Sequence, residues 1–155
     1  MLKNSFLPIV LLSMSLISAA VFAADSEAIV LEDMSKGQLR AEIEKYETEF
    51  YRVFNTGVAD ENYQIHCSRY TPINSNISTR ACEPTFVVEA RNENAISFQL
   101  GIGVQLSPAD LRKNLTGEFA KLTELLNAQL AKNDYFRALN GDLTMLRQML
   151  AEKES

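Results

Sequence analysis

The sequence predicts an α+β domain: an N-terminal helix, a three-stranded antiparallel meander clipped by one disulfide, and two C-terminal helices covering one sheet face. Three observations carry that expectation. Apolar residues recur at helical spacing after Ser35, the period changes to two between Asn62 and Leu106, and helical spacing returns after Ser107. A helix, then strands, then helices, each apolar on one side, is the pattern of a small sheet with helices packed on it.

The first helix is read over about residues 35–55. Ser35 followed by Gln38 is a capping-box pattern. Leu39, Ile43, Tyr46, Phe50 and Val53 then recur at alternating spacings of four and three, with Arg40, Glu42, Lys45, Glu47, Glu49 and Arg52 mostly off that stripe. Gly57 suits the C-terminal stop.

The strands come next. Tyr63, Ile65 and Cys67 alternate with Gln64, His66 and Ser68, and TPINSNIS is a Pro/Asn/Ser loop. TRACEPTFVVEAR places Cys82, Pro84, Phe86, Val88 and Ala90 on one parity. AISFQLGIGVQL places Ile96, Phe98, Leu100, Ile102, Val104 and Leu106 on one parity, the cleanest alternation in the chain. If Cys67 lies opposite Cys82 in an antiparallel ladder, Tyr63 falls opposite Phe86 and Ile65 opposite Pro84. If RNEN then turns the chain so that Arg91 meets Ala95, Val88 faces Phe98 and Phe86 faces Leu100. All the apolar sets share one face, and a one-residue slip would break the agreement. Pro84 lacks a ladder donor, so pairing with the third strand is expected to fail near Ile102, where Gly101 and Gly103 loosen residues 101–106 into a bend or loop.

Ser107-Pro108-Ala109-Asp110 is a strong helix start. Leu111, Leu115, Phe119, Leu122, Leu126 and Leu130 follow at helical spacing, with Gly117 a weak point. Asn133-Asp134 can close this helix and cap another, which carries Phe136, Leu139, Leu143, Leu146 and Leu150.

The first residues bear on location. MLKNS is positively charged, FLPIVLLSMSLISAAVF is apolar, and Val21 and Ala23 sit where a signal peptidase reads. Residues 1–23 are therefore predicted to be a cleaved leader and residues 24–155 a single exported domain, periplasmic or secreted. The run is short for a membrane span, and no lipid-anchoring Cys follows it, so no stable membrane anchor is expected after cleavage. Removing the leader turns fifteen basic residues against twenty acids into fourteen against twenty. An acidic domain makes a poor nucleic-acid binder, because a phosphate backbone calls for a basic face.

His66 beside Cys67 suggests a nucleophilic thiol with its base. On a strand, however, neighbouring side chains point to opposite faces, so Cys67 turns inward and His66 outward. In an exported chain, two cysteines read as the single disulfide Cys67–Cys82. Those cysteines and the one histidine lack the four-ligand spacing of structural zinc, and there is no calcium-loop pattern. The close carboxylate pairs (Glu42/Glu44, Glu47/Glu49, Glu152/Glu154) stand two apart on helices or a tail and do not face each other. No phosphate loop, dinucleotide fingerprint or nucleophile elbow occurs, so neither a catalytic residue nor a cofactor is assigned. Asn76 and Asn114 match glycosylation sequons; the leader has a bacterial look, and in a bacterial protein such sequons would carry no meaning.

Two features at the hairpin invite a functional reading. Arg69 falls opposite Arg80, and opposed like charges destabilise a ladder, so either the strands part there or an anion sits between them. His66 falls opposite Glu83 on the outer face as a cross-strand pair.

INSNISTRACEP with its upstream Cys resembles small exported proteins of gammaproteobacteria in which a Cys, a turn-rich loop and an R-x-C end recur. LTMLRQMLAEKE is similar to their helical ends. The resemblance implies a periplasmic location and the disulfide, and carries over no activity. The functional expectation is a non-enzymatic domain that binds a partner protein, or itself, through apolar stripes left over from a small core. The alternatives are a cell-envelope enzyme or enzyme inhibitor without a short motif, and a carrier of a small apolar ligand.

Overall fold

The structure is a computed structural model that describes residues 33–155. The predicted leader, residues 1–23, and residues 24–32 lie outside the described residues. Among the described residues, five α-helices and a two-stranded antiparallel hairpin make a mixed fold with one disulfide. Helix α1 spans Lys36–Thr56 and a single 3-10 turn follows at Glu61–Tyr63. Strands β1 (Ile65–Tyr70) and β2 (Thr79–Pro84) come next, then α2 (Thr85–Gln99), α3 (Pro108–Asn114), α4 (Thr116–Lys132) and α5 (Asp134–Glu154).

The first helix forms as its sequence dictates. The Ser35 hydroxyl oxygen accepts from the Gln38 N–H and the Gln38 side-chain oxygen accepts from the Ser35 N–H, satisfying two donors that the first turn leaves orphaned. Its stripe faces α5. Leu39 packs with Leu146 at one end, and Phe50 and Phe54 meet Phe136 at the other, so the two helices run antiparallel. Phe54, Phe136 and Leu39 are fully enclosed. At roughly 25 cal/mol per Å² of apolar surface removed from water, such side chains dominate the core's stabilisation. Where α1 ends, a Cβ on Gly57 would meet the Gln129 side-chain amide at 1.7 Å, so a residue without a side chain lets α4 approach.

The hairpin has the register that the cysteine pairing demands: Ile65 opposite Pro84, His66 opposite Glu83, Cys67 opposite Cys82 and Arg69 opposite Arg80. Thr85 N–H donates to the Gln64 carbonyl, adding one bond before the chain turns into helix. Tyr63 and Phe86, predicted to face each other, have ring centroids 5.7 Å apart.

Three expectations are corrected. First, the sheet has two strands, not three. Residues 85–99 are helical, because Pro84 ends the ladder and, at φ −63° and ψ 148°, serves as the helix N-cap. RNEN holds neither Gly nor Pro and passes through as helix. Residues 101–106 form the loop that the glycines suggested. Second, the helix predicted from Ser107 to Leu130 is divided at Leu115, whose φ of −97° and ψ of 20° leave the helical region. Third, the C-terminal helices do not cover a sheet face. Phe136, Leu139, Leu143 and Leu146 of α5 are buried beneath the helices, whereas only Ile65 of β1 is buried. A hairpin without a third strand offers too little apolar surface to hold two helices, so it lies against α1. Helix α5 runs unbroken through Gly141. Among the described residues no helix is long and apolar enough to cross a membrane.

Candidate functional site

The disulfide face of the hairpin carries its charge chemistry. Cys67, Arg69, Arg80 and Cys82 share that face by strand parity, and it looks onto the acidic side of α1. Arg69 pairs with Glu44, and Arg80 pairs with Glu47 and reaches the Thr48 hydroxyl at 3.0 Å. Glu47 also accepts from Arg147 of α5 at 2.7 Å. The ladder continues past the arginines to Tyr70 and Thr79, so the strands do not part at the predicted mouth. The anion that relieves the opposed arginines is supplied by α1 itself. Arg80 Nη2 also lies 3.1 Å from Cys67 Sγ. Beside this network burial, with Glu47 next, pushes the Tyr51 hydroxyl above the ordinary tyrosine range.

On the other face His66 and Glu83 stand opposite in register, but the Glu83 carboxylate is taken by Arg91 of α2. Cys67 is closed in the disulfide with Cys82, and His66 points away from it. The described residues contain no cluster of three or more His, Cys, Asp or Glu side chains placed to hold a metal ion.

A feature that sequence reasoning missed lies on α2. An open cavity of about 580 Å³ runs between α2, the 105–106 loop, α3 and the start of α4. Val87, Ala95, Leu111, Leu115 and Phe119 give it an apolar floor, and Arg91 and Arg112 stand at its edge. Asn94 builds one wall. Its amide donates to the Val104 carbonyl at 2.8 Å and accepts from the Leu106 N–H at 2.9 Å, fastening the loop to the helix. The signal was present in the sequence as Val87, Arg91, Asn94 and Ala95 at helical spacing, but only two of the four are apolar.

The outer side of the same region is an apolar shoulder. Ile96, Phe98, Leu100, Ile102 and Val104 are 56, 50, 67, 77 and 71% exposed. The residues predicted to share a core-facing strand side are therefore exposed to water, on the end of a helix and in the loop after it. The shoulder has a set shape. Ile102 N–H donates to the Ser97 carbonyl at 3.1 Å, Gly101 turns with φ of 71°, and a Cβ on Gly103 would press to 3.2 Å from Ser97 Cβ. Tyr70, Ile73 and Ile77 at the hairpin tip are also exposed.

No protein-family model, curated protein or solved structure matches the chain.

Proposed function

We propose that this is a small exported, non-enzymatic binding protein that docks another protein through the shoulder formed by the end of α2 and residues 100–104. The observation that carries the reading is the run of five large apolar side chains, each at least half exposed, within residues 96–104. Single exposed apolar residues are ordinary, but five large ones within nine residues is a density that marks an interaction surface. Fully burying such a side chain is worth roughly 1.5–3 kcal/mol, and a partner that covers its exposed part recovers a fraction of that. The Asn94 and Ser97 hydrogen bonds fix the surface before binding, which lowers the ordering cost of association. Glu89 and Glu93 are exposed on α2 and make no ion pair among the described residues. The matching partner surface is thus apolar and flanked by basic residues. An acidic chain with a leader-like start and a disulfide fits export.

Site-specific photocrosslinking tests the reading. A photoreactive residue at Ile102, in the producing cell, should give one adduct of discrete mass, and the same residue at the exposed Ala128 on α4 should not. No discrete adduct at 102 from a protein that is monomeric by light scattering, or equal adducts at both positions, would overturn it.

A further inference from the structure

We propose that the cavity between α2, α3 and α4 binds a small amphipathic carboxylate, with its acid group at Arg112 and its aliphatic chain along Leu115, Phe119 and Val87. This site is separate from the docking shoulder and rests on different observations. The first is a cation held in place without a counter-charge. Arg112 Cζ sits 4.5 Å from the centroid of the Phe119 ring, and the side chain makes no ion pair or hydrogen bond among the described residues. A contact with a ring face occupies none of the guanidinium N–H donors, so the fork that suits a carboxylate stays available.

The second observation is the charge of the lining. Arg91, Arg112 and Glu83 are its charged residues, and Glu83 already neutralises Arg91. One net positive charge remains, in a chain whose formal charge is −5. A singly charged head matches it. A phosphate would bring a second negative charge against Glu83 with nothing to balance it.

The third is size and composition. A volume of about 580 Å³ over an apolar floor lies within the ~300–1,000 Å³ range of small-molecule sites. The wall is not left to a loose loop, because Asn94 clamps Val104 and Leu106. An apolar chain with one terminal carboxylate satisfies all three features together.

The test uses the full exported chain and a fluorescent probe, dansylaminoundecanoate. Saturable one-to-one binding is expected, with displacement by decanoate and none by decylammonium or inorganic phosphate at equal concentration. Arg112→Gln should weaken the probe at least about tenfold while thermal unfolding stays unchanged, since a charge-assisted hydrogen bond is lost from an exposed side chain. Ala109→Trp, which fills the cavity from α3 and keeps the Arg112 charge, should abolish binding. Absence of saturable binding, equal affinity in Arg112→Gln, displacement by decylammonium or phosphate, or full binding in Ala109→Trp would each overturn the proposal. So would preference for vesicles containing phosphatidylglycerol over the free carboxylate.

Discussion

The side chain of Asn55 exchanges two hydrogen bonds with the backbone of Ile65: its amide donates to the Ile65 carbonyl and its oxygen accepts from the Ile65 N–H, both at 2.8 Å. A side-chain amide here does the work of a neighbouring strand. It pins the start of β1 to the end of α1 and places the hairpin over the helix. Asn55→Ala leaves two partly buried backbone groups unpaired and should lower stability by about 1–3 kcal/mol, read from the urea midpoint. Asn55→Asp keeps the acceptor but loses the donor, so it should not restore the wild-type midpoint.

Glu47 ties three elements together, because its carboxylate in α1 holds Arg80 of β2 and Arg147 of α5. The side chains of Arg80 and Glu47 are only 14% and 21% exposed, so their pairing is less screened than a surface bridge. Glu47→Gln should cost about 1–2 kcal/mol. Arg147→Gln, whose side chain lies half in solvent, should cost under about 1 kcal/mol. Equal losses in chemical denaturation would show that the network has no such centre.

Glu49 is held at about 2, first by the hydrogen bonds from Arg52 and then by the one from Tyr135. A carboxyl depressed in the folded state stabilises above its unfolded value of 4.5, and that contribution is lost as pH falls toward about 2. In an NMR titration the Glu49 carboxyl carbon should move below the range of the other glutamates, and Arg52→Gln should return it toward the ordinary value. An unchanged midpoint would contradict the assigned cause.

Reduction of Cys67–Cys82 opens a loop with a sequence separation of 15. The chain-entropy estimate for such a loop is ~3 kcal/mol. The deepest core residues, Phe54, Phe136, Leu39 and Leu146, all lie in α1 and α5. The reduced protein should therefore keep its far-ultraviolet helical signal at neutral pH while its urea midpoint falls. Loss of helix on reduction would show that the hairpin organises the core.

Much of this architecture could be read from the residues. Ser35 and Gln38, the stripe from Leu39 to Val53, and Ser107-Pro108 marked helix starts and faces that the structure contains. The cysteines fixed the hairpin register because side-chain parity allows one answer when two partners are given. The stretch 85–106 misled for a physical reason. Ile96, Phe98, Leu100, Ile102 and Val104 alternate, and alternation reads as a strand half buried in a core. In the fold that set faces water, while the inward set of α2 mixes Phe86, Val87 and Ala90 with Asn94 and Ser97. A helix whose inner face turns polar in its second half hides its own period. The arginines were legible as a conflict, Arg69 against Arg80, but its resolution came from Glu44 and Glu47, far off in sequence.

The most direct test of the docking shoulder is the double substitution Leu100→Ser and Ile102→Ser, measured for stability and for the crosslink together. Side chains that face water in the free protein should leave the urea midpoint within about 0.5 kcal/mol of wild type, while the discrete adduct formed from a photoreactive residue at Val104 disappears. A fall of several kcal/mol with the adduct retained would place these residues in the core and contradict the account.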